Sequence, residues 1–440
     1  MKLYFILLVS TCFFVSTFAQ TANDSSFPRR FNLHFQTTYI YQYKPAFNAP
    51  YSGVNSISPI EEKQNSLTAT AFLGILLWKN CEIYINPELA GGSGLSGAFG
   101  MGASTNGETY RVGDPAPNVY LARGYLQQTI GLGTDKYFAD DAANQVGYKM
   151  PKKYIRFLIG KFSLGDVMDN NAYSNTPRTQ FMNWALMNNA AWDYAANVRG
   201  YTYGFTTILQ LENMAYKLSI AALPTVANGA ELNTNPSEAY SLNAEANKTY
   251  TINGKTGTVR LLGYYNTANM GNYKKAIANA DSEQVPDIVS TRKIGNYKIG
   301  FGINAEQQLN NSIGIFARVG WNDGASETWC YTEADRTIQT GISVIGKKWK
   351  RKDDVIGAAI VVNGLSQDHR NYLANGGLGF ELGDGKLNYG YETATELYYS
   401  IKPTNNPIWI SCDYQLVINP GYNKDRGPIS VFSIRLHVEL

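Results

Sequence analysis

The chain has 440 residues, with 38 Lys and Arg against 35 Asp and Glu and a formal net charge of +3. This balance argues against a nucleic-acid partner, because such proteins neutralise phosphates with an excess of Lys and Arg. Aromatic residues make up 13% of the chain, which excludes a disordered protein. Beyond the amino terminus no apolar run is long enough for a membrane-spanning helix, which excludes a helical membrane bundle.

The amino-terminal segment has the features of a secretory signal peptide. Lys2 precedes an apolar run that reaches Phe18, and Thr17 and Ala19 occupy the cleavage subsites. An anchor helix is the alternative, but the run is short and polar residues follow it at once. We expect residues 1–19 to be removed on export, and residues 20–440 to form a single domain.

Three cysteines remain after the signal peptide, at Cys81, Cys330 and Cys412. Their odd number and wide spacing argue against both a disulfide scaffold and a zinc site. The sequence therefore predicts no metal and no cofactor.

An alternation of apolar and polar residues recurs along the whole chain. From Phe31 to Tyr43 the odd positions are mostly aromatic or aliphatic and the even ones mostly polar. The same period of two recurs at 201–211, 297–303, 408–418 and 432–440. A period of two is typical of β-strands.

The strand pattern favours an all-β protein, a transmembrane antiparallel β-barrel, over an exported soluble β protein. The segments are about ten residues long, as a tilted strand that crosses a bilayer must be. Aromatic residues recur at the strand ends, and the last strand runs to Leu440. A closed barrel makes the first and last strands neighbours, so we expect His34 and His437 to lie near each other in the lumen. Two hydrogen-bonded lumen histidines are favoured there over a metal pair.

The segment 163–200 is too long for an ordinary hairpin connection. Phe181, Trp184, Ala185 and Asn188 follow helical spacing, which predicts a short helix. The segment combines aromatic rings with Asn, Asp and Arg, a composition that suits sugars with apolar ring faces and many hydroxyls. A packed loop whose aromatics only fill space is the alternative. If the segment folds inward, it forms the constriction of a pore.

Three other segments carry no predicted chemistry. Gly92–Gly97 matches the dinucleotide-binding pattern, but the glycines that follow it cannot sustain the helix that this site requires. Thr225–Lys255 and Ala276–Val289 are polar, and we expect both to be exposed loops.

Several ordered segments resemble the carbohydrate-selective porin family, the OprB type, of Gram-negative outer membranes. The likeness covers most of the mature chain. The segments that carry it include Asp169–Ser174, Pro177–Leu186, Trp192–Tyr194, Phe316–Gly324, Asn363–Ser366, Asp413–Gln415 and Asp425–Pro428.

The resemblance implies a sixteen-stranded barrel in the outer membrane, with an inward-folded constriction loop and a water-filled lumen for passive diffusion of small sugars. Its partners would be carbohydrate solutes and outer-membrane lipid; a homo-oligomer is left open. Two features depart from the family: the chain ends in Leu440 rather than an aromatic residue, and Thr225–Lys255 matches poorly.

Ten residues are expected to line or brace the constriction, with the two arginines binding sugar hydroxyls and the two tryptophans stacking on sugar rings. They are Asp169, Asn170, Asn171, Arg178, Gln180, Asn183, Trp184, Trp192, Asp193 and Arg199.

Alternatives are a non-selective diffusion porin, a plugged structural or receptor barrel, and a lipase-like barrel enzyme. The enzyme is disfavoured because the sequence has no Gly-x-Ser-x-Gly motif, and two of its three histidines are expected in the lumen.

Overall fold

The structure is a computed structural model that describes residues 30–109, 116–281 and 284–440. The expected signal peptide lies outside these residues. Within them, sixteen antiparallel strands close into one barrel, in chain order except for one inserted hairpin. The barrel strands are β1 (Phe31–Lys44), β2 (Glu62–Trp78), β3 (Cys81–Gly92), β4 (Asn118–Gly131), β7 (Tyr154–Phe162), β8 (Thr202–Gln210), β9 (Met214–Ala221), β10 (Tyr240–Ile252), β11 (Lys255–Met270), β12 (Lys293–Gln308), β13 (Ile313–Asn322), β14 (Arg336–Ile345), β15 (Val355–Gly364), β16 (Glu392–Ile401), β17 (Ile408–Ile418) and β18 (Ile429–Glu439).

The first and last strands close the barrel. Strand β1 pairs with β2 on one side and with β18 on the other, with Thr38 opposite His437. The backbone N–H of Phe35 donates to the Leu440 carbonyl at 2.9 Å, and the Leu440 N–H donates back at 2.8 Å. Lipid offers the backbone no hydrogen-bond partner. Closure therefore pairs the N–H and C=O groups of β1 and β18, which would otherwise form two open edges of the sheet. The predicted adjacency of the two strands is confirmed.

The strands place apolar residues outside and polar residues inside, the reverse of a soluble protein. Leu218 is 62% exposed and Ile434 54% exposed on the outer face. Arg318 and Arg435 point inward and are almost completely buried. The apolar rows therefore face lipid, and the lumen is polar.

The two rims of the barrel differ. Tight turns such as 79–80 and 253–254 lie at one rim, which we call the short-turn rim, and β1 begins and β18 ends there. Long connections such as 163–201 and 365–391 lie at the other, the long-loop rim. In outer-membrane barrels the short turns are periplasmic.

One hairpin at the short-turn rim folds into the lumen. It consists of β5 (Lys136–Ala139) and β6 (Tyr148–Pro151). The Asn32 amide donates to the Ala142 carbonyl at 2.9 Å. The Asn86 amide donates to Asn144 at 2.9 Å. The hairpin thus covers the lumen faces of β1 and β3 near this rim.

The helices are short. They are α1 (Trp184–Met187), α2 (Tyr273–Asn279) and α3 (Gln367–Ala374). No helix in the described part of the chain has the length and apolar character needed to cross a membrane.

The expectation that Thr225–Lys255 is an exposed loop is wrong. Strand β10 occupies most of its second half and pairs with β9 and β11. Its outward row includes Leu242 and Ala244 but also Lys248. Small and charged residues in the lipid-facing row hide the alternation, and pairing with two neighbours supplies the stability instead. The expected loop Ala276–Val289 likewise begins inside α2.

Each lumen histidine of the terminal strands has its own partner. The His437 ring contacts the Thr38 hydroxyl at 2.8 Å and the Glu439 carboxylate at 3.0 Å. His34 lies 3.6 Å from Asp141 of the inserted hairpin connection. Among the described residues no group of three His, Cys, Asp or Glu side chains is arranged to hold a metal ion. All three described cysteines are free.

The apolar outer face of the barrel predicts how the free energy of unfolding responds to a charge that faces lipid. Leu218→Arg, near the middle of β9, should destabilise the barrel by about 2–4 kcal/mol because the charge enters lipid. The free energy of unfolding, measured by denaturant titration in lipid vesicles, checks this. Thr249→Arg, which places the same charge on the lumen side of β10, should change it far less. Equal losses in both variants would contradict the assignment of faces.

Candidate constriction site

The segment 163–201 folds into the lumen and is anchored to the opposite wall; we call it the constriction loop. Its backbone N–H groups at Met182 and Asn183 donate to the Glu396 carboxylate of β16, at 2.5 and 2.9 Å. Arg435 of β18 donates to the carbonyls of Pro177 and Gln180, at 2.6 and 2.7 Å. The loop therefore crosses the lumen, and polar side chains of the wall hold its backbone.

Apolar packing inside the barrel supports the same loop. The Phe181 ring lies 5.0 Å from the ring of Tyr398 and 5.7 Å from that of Phe316. The predicted short helix is α1, and the Asn183 side chain caps it by accepting the N–H of Ala185. The loop is a packed element, as the dense aromatic content of its sequence requires.

Arg178 lies where the loop meets the wall of β2 and β3. Its Nε donates to Glu108 at 2.8 Å and its Nη2 to Glu88 at 2.9 Å. Its Nη1 donates to the Thr70 hydroxyl at 3.0 Å. A guanidinium has five N–H donors, so two of them have no partner among the described residues. Burial lowers the pKa of Arg178, but Glu108 and Glu88 raise it more, so its pKa lies above the usual arginine value.

Glu88 also binds other side chains near Arg178. Its carboxylate accepts hydrogen bonds from the Tyr120 hydroxyl at 2.5 Å and the Tyr201 hydroxyl at 3.1 Å. The Arg199 guanidinium lies over the Tyr120 ring, 4.1 Å from its centre. Arg123 lies over the Tyr201 ring at 5.2 Å. Arg123 also donates to the Asp166 carboxylate. Three carboxylates, three arginines and two tyrosines are thus concentrated on one side of the lumen.

These groups surround a cavity of about 260 Å³, which we call the constriction cavity. Trp184 lines it too, stacked nearly parallel to Tyr331 with ring centres 6.2 Å apart. Such a cavity offers donors, acceptors and ring edges within the dimensions of a small polar ligand.

Of the ten residues predicted from sequence, three line this cavity: Arg178, Trp184 and Arg199. The others hold the loop. Asp169 accepts the Asn189 N–H at 2.7 Å and lies 3.2 Å from the Arg318 guanidinium.

The remaining predicted residues make hydrogen bonds within the loop or to the wall. Asn171 and Trp192 donate to Asn304 and Asn243, at 2.8 and 2.9 Å. The Asp193 carboxylate accepts three successive backbone N–H groups, Trp329 to Tyr331. Asn170, Gln180 and Asn183 donate to Gly165, Ala172 and Gln415, respectively.

Sequence reasoning missed Glu88, Glu108, Tyr120 and Tyr201. The alternation of Glu82, Tyr84, Asn86 and Glu88 in β3 could have shown that Glu88 faces inward. Glu108 lies outside any strand, and only the folded chain brings it to Arg178.

The comparisons with known proteins agree with this architecture. The sequence model of the "Carbohydrate-selective porin, OprB family" matches residues 59–440. The chain belongs to this family. Family membership and the closed barrel together make it an outer-membrane porin for carbohydrates. No curated protein matches the chain significantly.

One solved porin structure shares the fold of this OprB family member. The high-pH structure of OprB from Pseudomonas putida has a TM-score of 0.69 and 16% identity, over 93% of this chain and 94% of that one. Its low-pH structure gives 0.47 and 15%, over 93% of each chain. DcaP of Acinetobacter baumannii gives 0.48 and 10%, over 94% of this chain and 99% of that one.

The contacts of Arg178 predict its effect on ion selectivity. Arg178→Ala leaves the carboxylates of Glu88 and Glu108 without their counter-charge, so the pore should become more cation-selective. The reversal potential across a bilayer in a KCl gradient measures this. Lys63→Ala, which removes one positive charge from the outer side of the long-loop rim, should leave the reversal potential unchanged. A similar shift in both variants would show that Arg178 has no special place in the ion path.

Proposed function

We propose that the constriction cavity is the selective step of passive sugar diffusion through this porin. The observation that carries the proposal is the position of Arg178, which the inward loop holds beside the carboxylates of Glu88 and Glu108. Two of its N–H donors remain for a solute, and sugar hydroxyls are suitable acceptors. The concentration gradient of the sugar drives passive diffusion, and the cavity has only to bind the sugar weakly and release it.

Each predicted residue has a role in this proposal. Arg178 and Arg199 donate hydrogen bonds to sugar hydroxyls, and Trp184 offers an apolar surface to the sugar ring. Trp192 is 1% exposed and its indole N–H donates to Asn243, so it braces the loop instead of stacking on the sugar. The remaining predicted residues brace the loop, so the cavity keeps its shape while solutes pass.

We also propose that residues 1–19 are cleaved as a signal peptide and that residues 20–440 act as one domain without enzymatic activity. Mass spectrometry of protein purified from outer membranes should show an amino terminus at Gln20. An intact Met1 in the mature protein would contradict the cleavage.

Single-channel conductance in a planar bilayer tests the function. We expect saturable current block by glucose or a longer neutral oligosaccharide, and weaker block by a uronic-acid oligomer. A steady current that no sugar perturbs would instead indicate a non-selective diffusion porin. The absence of any current would indicate a plugged barrel.

The two arginines should determine sugar affinity. In the double variant Arg178→Ala and Arg199→Ala, the sugar concentration for half-maximal block should rise at least about tenfold, because hydrogen bonds from charged donors are lost. Arg351→Ala, in the turn between β14 and β15, removes an arginine that is paired with Asp354 and does not line the constriction cavity. It should leave the half-blocking concentration unchanged. An unaltered double variant would show that both arginines only brace the loop.

A further inference from the structure

A second cavity lies in the lumen on the other side of the constriction loop. Its volume is about 360 Å³, and we call it the exit cavity. The residues that define it here are Tyr173, Gln180, Ser343, Tyr398, Trp409 and Ser411. It is distinct from the constriction cavity, with which it shares one lining residue, Arg178.

The exit cavity lies at the short-turn rim. Its wall residues Gly314, Ser343 and Val355 stand at the short-turn ends of β13, β14 and β15. Trp409 stands at the corresponding end of β17. The inserted hairpin of β5 and β6 covers the lumen near this rim along β1 and β3, on another part of the wall. Arg178 lines both cavities, so the exit cavity adjoins the constriction cavity on the side of the short-turn rim.

The ring of Tyr173 is fitted into the wall of the exit cavity. It packs against Gly314, where an added Cβ would come within 1.9 Å of the Tyr173 ring. Any larger residue at this inward position of β13 would displace the ring. The Tyr173 hydroxyl makes no hydrogen bond to any residue that the structure describes, so it remains able to bind a solute.

Trp409 is held on the wall by its neighbours. The Lys402 ammonium lies 5.1 Å from its ring centre, and the His437 ring lies at 5.8 Å. Its indole N–H makes no hydrogen bond within the described part of the chain. Two aromatic side chains with unpaired donors thus line one cavity.

The remaining lining combines Arg178 and aliphatic side chains such as Ile313, Ile345 and Val355 with neutral polar groups. Serine hydroxyls come from positions 312, 343, 400 and 411, and amides come from Gln180, Gln308, Asn310 and Asn311. Among the residues that the structure describes, no carboxylate lines the exit cavity, in contrast to Glu88 and Glu108 at the constriction. Ring faces beside hydroxyls and amides suit a neutral sugar, because its C–H face is apolar and its rim is hydroxylated.

We propose that the exit cavity is a second carbohydrate subsite, in which Trp409 and Tyr173 bind a neutral sugar that has passed Arg178. The proposal rests on the function proposed above, since it needs sugar to enter the lumen. It assigns the two steps different chemistry: charged hydrogen bonding at the constriction, and aromatic contact with neutral hydrogen bonding at the exit. A weakly binding exit subsite would hold sugar that has passed the constriction and still release it from the barrel.

Dwell times of sugar blocks in single-channel recordings test this subsite. With glucose or a neutral oligosaccharide, the wild-type channel should show two classes of block. Trp409→Ala should abolish one class or shorten its dwell time roughly tenfold, and leave the other intact. Trp409→Phe keeps an aromatic face without the indole N–H, so it should restore most of the dwell time. Tyr173→Phe removes only the hydroxyl and should shorten the same class.

Trp349→Ala is the matched control, because Trp349 lies in a turn at the same rim and does not line the exit cavity. It should keep both classes. Wild-type dwell times in Trp409→Ala and Tyr173→Phe would overturn the exit subsite and leave the constriction proposal standing. No sugar block in the wild-type channel would overturn the proposed function, and the exit subsite with it.

Discussion

A strand that crosses lipid must find a hydrogen-bond partner for every backbone N–H and C=O, and this requirement shapes the whole molecule. It is met when β1 pairs with β18, in the register that sets Thr38 opposite His437. An unpaired edge would expose a row of polar groups to hydrocarbon at several kcal/mol each. Closure therefore fixes the barrel, and the barrel fixes which side chains can meet.

Closure also separates two environments along each strand. The outward rows contact lipid rather than other parts of the protein, so they accommodate Ala244 as well as Leu218. The inward rows face a polar interior, where Arg318 and Arg435 are buried because loop carbonyls accept their N–H groups. Arginine suits this task, since its planar group bonds several carbonyls at once. Hydrogen bonds from the charged wall thereby help to hold the constriction loop in place.

The ordered loop divides the lumen into two compartments of unlike chemistry. On the side of β2 and β3, Arg178 neutralises two carboxylates, and the tyrosines complete their hydrogen bonds. On the opposite side, aromatic rings, hydroxyls, amides and aliphatic side chains line the exit cavity. Arg178 borders both compartments, so one guanidinium links the loop, the wall and the path of a solute. Removing either partner of a buried charge pair of this kind destabilises the fold, because the other partner remains charged and unpaired.

The sequence by itself determined the barrel and its closure, because a period of two persists wherever one strand face meets lipid and the other meets the lumen. It also marked the loop 163–200 and three residues that line the constriction cavity: Arg178, Trp184 and Arg199. It failed at β10, whose lipid-facing row contains Lys248, and at the hairpin of β5 and β6, whose insertion depends on partners such as Asn32 and Asn86.

Only the tertiary structure decided which groups surround Arg178. Thr70, Glu88 and Glu108 lie on separate segments, and the strand register together with the fold of the loop sets them within 3 Å of one guanidinium. The exit cavity also depends on the tertiary structure. Tyr173 of the loop and Trp409 of β17 line one cavity only because the loop folds into a closed barrel. Local pattern records the environment of each strand face, whereas a site built across a lumen depends on distances that no local pattern contains.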